Sequence, residues 1–295
     1  MLQGVFSGEH YKMRRALVTL PLSSRGTRAS FRHVPVSAGG STVTVVPKYK
    51  AKARAAAELA LQVCVRKGTE IVSHGGYLDL DSNVPVGLGM GSSTSDVIAT
   101  IKAVTDYYRV HLASNEIARL AVLAERASDS IMIEDRVVLF AHREGRVLEV
   151  LGYELPPLLV VGCISQTVPG GVDTLEFPPA EYDDREVATF QVLSAAMRRA
   201  VSTGDVGLLG RVATASARIN QRFLPKPELD FLIGLSSRVG AAGVQVAHSG
   251  TLAGLLFDAR RPDLAARIDQ CLAEMADKGL VHGDTFHVPA GRTFT

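Results

Sequence analysis

Apolar positions along the chain recur at two spacings, and the changes from one spacing to the other mark the elements. From Ala16 to Leu22 and from Thr42 to Pro47 aliphatic and β-branched residues predominate, which predicts strands, with a turn at Gly39-Gly40. Lys50 to Lys67 is rich in alanine with leucine and valine at helical spacing, and predicts a helix. Gly75-Gly76 interrupts the pattern before a short strand over Tyr77 to Leu80. After a glycine-rich loop, Val97, Ile98, Ile101 and Val104 share one face of a helix. Ser114 is the expected cap of the next helix, which runs through Glu125 with Ile117, Leu120, Ala121 and Ala124 facing the core. Val137 to Ala141 and Val147 to Leu151 flank the polar run His142 to Arg146, the pattern of a hairpin.

The second half repeats none of this. A strand is expected at Leu158 to Ile164, then a polar stretch to about Asp184, then helices at Glu186 to Ser202, Val206 to Ile219 and Pro227 to Arg238. A strand at Gly243 to Ala247, a turn at His248-Ser249-Gly250, an apolar segment to Asp258, a helix from Pro262 to Lys278 and a strand near Phe286 complete it. Helices and hairpins are segregated rather than alternating, which predicts an α+β fold. Pro156-Pro157 is the expected boundary between domains covering residues 1–155 and 156–295.

Composition narrows the function classes. The 295 residues are 46% apolar and 21% charged, enough to bury a sizeable core, and the net charge of +2 is spread without a basic face. A small molecule is therefore the expected partner, with neither nucleic acid nor membrane, and a homodimer is compatible with this reading. Cys64, Cys163 and Cys271 lack metal-ligand spacing and are odd in number, which argues against a zinc site or a disulfide framework. No apolar run reaches the length of a membrane span. A cytoplasmic location is expected.

Candidate chemistry concentrates in one segment, Pro85-Val-Gly-Leu-Gly-Met-Gly-Ser-Ser-Thr-Ser-Asp96. Gly87, Gly89 and Gly91 let the backbone approach a ligand, and the free amides of the following helix favour an anion such as phosphate. Ser92 and Ser93 add hydroxyls that can hydrogen-bond or bind Mg²⁺. The loop lacks the lysine of a Walker motif and is not a strict dinucleotide fingerprint. Read from its residues alone, it is either such a cradle or a flexible turn ending in a serine-rich helix cap.

Pro85, Gly89, Gly91, Ser92 and Ser93 match the second motif of the GHMP kinase superfamily, Pro-x-x-x-Gly-Leu-Gly-Ser-Ser-Ala-Ala, with Met90, Thr94 and Ser95 as departures. The chain resembles most the L-threonine kinase and propanediol-utilisation branch, through Leu17 to Pro21, Ala127 to Met132, Leu139 to His142, Asn220 to Arg222 and Val246 to Gly250. The resemblance implies an N-terminal domain like ribosomal protein S5 domain 2 and a ferredoxin-like C-terminal domain. It also implies ATP-dependent phosphorylation of a small alcohol or amino acid, chiefly L-threonine to O-phospho-L-threonine for cobalamin synthesis. Another GHMP kinase activity, on a sugar, homoserine or an isoprenoid alcohol, and a non-catalytic ligand-binding role are the alternatives.

By that analogy Pro85, Gly87, Gly89, Met90, Gly91, Ser92, Ser93 and Thr94 would hold ATP. Ser93 and Glu125 would hold Mg²⁺, and His248, Ser249 and Gly250 would border the substrate. Asp129 would take the proton of the acceptor hydroxyl, although an aspartate between two serines is by composition a turn or cap residue. The pair Asn220 and Arg222 is readable as a carboxylate or phosphate site or, for Arg222, as a surface ion pair. Two departures stand out. The branch pattern has a glutamate three residues before the aspartate, where this chain has Arg126 with Glu125 beside it. The opening Met1-Leu-Gln-Gly4 resembles the far end of the family's first motif, which leads to the expectation that this motif begins upstream.

Overall fold

The computed structural model describes residues 1–8, 12–22, 24–35, 43–71, 75–165, 180–247 and 251–288. Within them the chain runs β1 (Leu2–Ser7), β2 (Met13–Val18), β3 (Thr27–His33), β4 (Val43–Val46), α1 (Ala51–Arg66), β5 (Gly76–Ser82), α2 (Ser92–Tyr107) and α3 (Ser114–Glu125). It continues through β6 (Val137–Ala141), β7 (Arg146–Gly152), β8 (Leu158–Ile164), α4 (Asp184–Thr203), α5 (Val206–Asn220) and α6 (Leu229–Arg238). Last come β9 (Gly243–Val246), β10 (Leu252–Asp258), α7 (Leu264–Asp277) and β11 (Val281–Val288). Antiparallel pairing dominates the sheets of the described residues, with β4-α1-β5 as a parallel crossover, in keeping with α+β.

Three sheets organise the molecule: β1-β2-β6-β7, β3-β5-β4 and β11-β8-β10-β9. The first and third are antiparallel, while β4 lies parallel to β5. Helices α1, α2 and α3 pack together through Ala56, Ile101, Leu120 and Ala121, all buried. This packing holds the N-terminal end of α2 and the C-terminal end of α3 at one mouth.

Two strands, β1 and β3, carry no clear period and were not expected. Residues of β3 alternate in burial, but Arg28, Ser30 and Arg32 interleave with alanine and a single phenylalanine, too little apolar signal for a strand. Strand β1 is the edge of its sheet, and side chains from α5 cover that edge. Ser216 Oγ accepts from the Gln3 amide at 3.0 Å, and Asn220 Nδ2 donates to the Gln3 carbonyl at 3.0 Å. Thus Asn220, singled out above for its neighbours in sequence, pins β1, and its own Oδ1 accepts from the Tyr182 hydroxyl at 2.7 Å. Arg222 forms an ion pair with Glu186 at 2.5 Å on the surface.

The largest core unites the two halves. Leu2, Phe6, Ala16 and Leu139 pack with Leu158, Phe190, Leu209 and Leu256 in one buried cluster. One further expectation is corrected at the start of α3. Ala113, not Ser114, is the residue before the helix, because Glu116 reaches back to accept from the Ala113 amide at 2.9 Å and Ser114 is already helical.

Candidate active site

The glycine loop ends on α2 as its residues dictate. Gly87, Gly89 and Gly91 have φ of +84°, +84° and +76°, a region where a Cβ is strained. Gly91 is the residue before α2, and its carbonyl accepts from the Ser95 amide at 2.9 Å, so the helix begins at Ser92. The first-turn amides, which have no acceptor within the helix, therefore open toward the loop. The loop lines a cleft of about 770 Å³ between the halves, whose far side carries Ser216, Asn220 and Gln245.

Two acids stand at this helix end. Glu125 closes α3 and is 3% exposed. Its Oε2 accepts from Ser93 Oγ at 2.6 Å and its Oε1 from Thr94 Oγ1 at 2.8 Å, while the Ser128 hydroxyl nearby donates to the Asp129 carbonyl at 3.4 Å. Burial pushes the Glu125 carboxyl up; the Ser93 and Thr94 hydroxyls pull it back and the Asp129 charge adds to the rise. Arg126 follows at φ +67° as the left-handed residue after the helix and is exposed. The helix end thus turns Arg126 outward and leaves Glu125 as the inward acid, which resolves how a chain with arginine at that place still brings a carboxylate to Ser93.

After that reversal Ala127 to Ser130 runs beneath the loop. The Ser128 amide donates to the His142 carbonyl at 2.9 Å, which ties this segment to the end of β6. The Asp129 amide lies 3.4 Å from Thr94 Oγ1, and Asp129 Oδ2 lies 3.2 Å from where a Cβ on Gly91 would stand. Burial pushes the Asp129 carboxyl up, with the Met1 ammonium opposing. One hydroxyl, Thr94, therefore touches the segments carrying both acids.

The structure brings Gly87, Gly89, Gly91, Ser92, Ser93, Thr94, Glu125 and Asp129 to one cleft, with Pro85 and Met90 on the same wall. His248, Ser249 and Gly250 lie outside the described residues; Val246 and Ala247, just before them, line the cleft. Three participants were missed by the sequence reading. Lys50 forms an ion pair with Asp96 on the second turn of α2, and Thr27 Oγ1 donates to the other oxygen of Asp96 at 2.8 Å. Arg25, from the N-terminal half, holds Asp284 of β11 by two hydrogen bonds of 2.6 and 2.8 Å and donates to the Asn83 carbonyl at 2.8 Å. No local pattern links Lys50 with Asp96 or Arg25 with Asp284, since each pair joins distant segments. The acid at position 96 in a helix start rich in hydroxyls was the one visible hint.

Fold and site together define a two-domain α+β protein with a glycine loop set on a helix N-terminus beside two carboxylates, Glu125 buried and Asp129 half-buried. Family models for "GHMP kinases N terminal domain" and "GHMP kinases C terminal" match residues 51–133 and 195–278, between them more than half of the chain. The chain belongs to the GHMP kinase superfamily and has its two-domain fold. It is 30% identical over 197 residues to the L-threonine kinase of Salmonella typhimurium, covering 67% of this chain and 64% of that protein. The match thus spans just under two thirds of that relative's length. A homoserine kinase of Moorella thermoacetica is 27% identical over 207 residues, 69% of this chain and 68% of its own. Among solved structures, homoserine kinase from Cytophaga hutchinsonii superposes with a TM-score of 0.64 at 15% identity, covering 94% of this chain and 88% of its own. Phosphomevalonate kinase of Streptococcus pneumoniae gives 0.66 at 13% identity, over 94% and 91%. At those identities the likeness is one of fold.

Proposed function

We propose that this protein transfers the γ-phosphoryl group of ATP to the hydroxyl of a small metabolite, with L-threonine as the acceptor and O-phospho-L-threonine, a precursor for cobalamin synthesis, as the product. The observation that carries the reading is the placement of Glu125 on the hydroxyls of Ser93 and Thr94 at the N-terminus of α2, with Asp129 alongside under Gly91. Transfer from a triphosphate draws on amides and a metal-binding acid for the phosphates and a group that orients the acceptor hydroxyl, and this grouping supports that reading. In this reading residues 1–155 carry the nucleotide, residues 156–295 close the acceptor side, and the enzyme works in the cytoplasm.

Ser93 and Glu125 suit Mg²⁺. They offer two hard oxygen donors, and no cluster of three metal-ligating residues occurs among the described residues, so the other positions fall to water and phosphate oxygens. Mg²⁺, when bound, supplies neutralisation of the charge on the phosphate oxygens. The first-turn amides of α2 hold those oxygens in place. Asp129 orients the acceptor hydroxyl and takes its proton as the oxygen bonds to the γ-phosphorus and the bond to the leaving ADP oxygen breaks. Position rather than covalent chemistry supplies the rate.

The acceptor rests on the L-threonine kinase relative and on the segments shared outside the loop. The test is ATP turnover by the full chain against threonine, serine, homoserine and a panel of sugars. Threonine should be phosphorylated best, with serine slower by about 10–200-fold, the discrimination available from one methyl group. Equal or better turnover of homoserine or a sugar overturns the acceptor. Tight ATP binding with no phosphorylated product overturns the kinase reading.

A further inference from the structure

We propose that Lys50 binds the phosphate chain of the nucleotide, from the α1 side of the cleft; the inference rests on the nucleotide reading above and extends the site beyond the glycine loop. Lys50 immediately precedes α1 and lines the same cleft as Gly87 to Ser93. Its side chain is 11% exposed and its ion-pair partner, Asp96, 5%. A pair this buried is costly to form, since both charges leave water, and it contributes little stability relative to apolar packing. Its presence one turn into the helix that carries the loop calls for another reason.

Charge accounting at α2 supplies one. Asp96 sits one helical turn beyond Ser92, so left alone its carboxylate would repel any anion at that helix end. Asp96 is fully engaged: Thr27 Oγ1 donates to Oδ1 and Lys50 Nζ to Oδ2. Lys50 is not. An ammonium has three N–H donors, and Asp96 is its one hydrogen-bond acceptor among the described residues, with the Tyr49 ring centroid 5.6 Å away. Lys50 thereby cancels Asp96 and keeps donors for a second anion in the cleft. Lys52, also on the cleft wall, makes no such pair among the described residues and provides a control.

The experiment is calorimetric titration of ATP and of adenosine into the full chain as wild type, Lys50→Met, Lys50→Arg, Asp96→Asn and Lys52→Met, with a thermal melt of each. Lys50→Met should weaken ATP binding by about tenfold to a hundredfold, the loss of one charge-assisted hydrogen bond, and leave adenosine within about twofold. Lys50→Arg should retain most of the affinity. Asp96→Asn should bind ATP at least as tightly as wild type, because the ammonium loses a competitor. Lys52→Met should have a smaller effect than Lys50→Met.

Unchanged ATP affinity in Lys50→Met overturns the inference, as does an equal loss for ATP and adenosine. If Asp96→Asn weakens ATP as Lys50→Met does, the pair is only a strut between α1 and α2 and the proposal falls. Should Lys50→Met fail to fold, Asp96→Asn and Lys50→Arg decide by the same criteria. A wild type that binds no ATP would instead remove the nucleotide reading itself, a result distinguishable from every other.

Discussion

Thr94 stands where the family motif has alanine, and its replacement by valine is the sharpest test of how the site is held. The side chain is nearly isosteric, so the change deletes one hydroxyl. In the wild type that hydroxyl donates to Glu125 Oε1 at 2.8 Å and lies 3.4 Å from the Asp129 amide, with Thr94 5% and Glu125 3% exposed. Valine offers no donor to replace it, so the buried Glu125 carboxylate loses one of its hydroxyl partners. A hydrogen bond to a charged group is worth roughly 1.5–3 kcal/mol, and that much stability should go. For a chain of this size each kcal/mol moves the melting temperature by roughly 2–4 °C, so the fall should be about 3–12 °C. Loss of a donor also lifts the Glu125 carboxyl further above its ordinary value, which weakens its hold on Mg²⁺ near neutral pH. Turnover should fall about 10–100-fold, as when a partner that orients a metal ligand is removed, and the Mg²⁺ concentration for half-maximal rate should rise. Thr94→Ser keeps the hydroxyl and should recover most of both. The assay is a coupled ADP-release measurement over a Mg²⁺ series, beside a thermal melt. A valine variant that melts and turns over like wild type, or a serine variant no better than valine, refutes the argument.

Two further substitutions probe the same cleft. Asp129→Asn should lower turnover about 10²–10⁴-fold with ATP affinity little changed, measured by single-turnover kinetics and calorimetry. Because burial dominates at Asp129 and holds its folded pKa above the unfolded value, stability is lost as pH rises through that interval, and Asn should leave the melting temperature unchanged or higher at neutral pH. The same upward shift places the acid limb of the wild-type rate above the ordinary carboxylate range, with activity rising as Asp129 loses its proton, and the limb should vanish in the variant. Gly91→Val should abolish ATP binding while the chain still folds. Its φ of +76° would cost a residue with a Cβ roughly 1–2 kcal/mol, and the new Cβ, 3.2 Å from Asp129 Oδ2, would displace that carboxylate. Unchanged affinity by calorimetry would sink the loop assignment.

Much of the architecture was legible locally, because periodicity needs only neighbours. Val97, Ile98, Ile101 and Val104 announced the buried face of α2, and the apolar run Leu158 to Ile164 announced β8, since helix and strand each impose their own spacing on what must be buried. The loop was legible for a different reason: three alternate glycines before a run of hydroxyls have a backbone consequence that does not depend on the rest of the fold, and all three adopt positive φ. Strands β1 and β3 were not legible. One pairs with its neighbour β2 and has its free edge covered by Ser216 and Asn220 from far along the chain, and the other interleaves arginine and serine with few apolar residues and pairs with β5, about fifty residues on.

Pairings across the chain belonged to the tertiary structure alone. Glu125 and Arg126 are adjacent in sequence, and only the left-handed turn at Arg126 decides that the glutamate points inward to Ser93 and the arginine to solvent. Lys50 meets Asp96, and Arg25 meets Asp284, because α1 packs on α2 and β11 reaches the mouth of the cleft. A residue's type and spacing state what it could bind. Which charge neutralises which, and which carboxylate is buried beside a helix N-terminus, depends on distances between segments that local pattern does not encode.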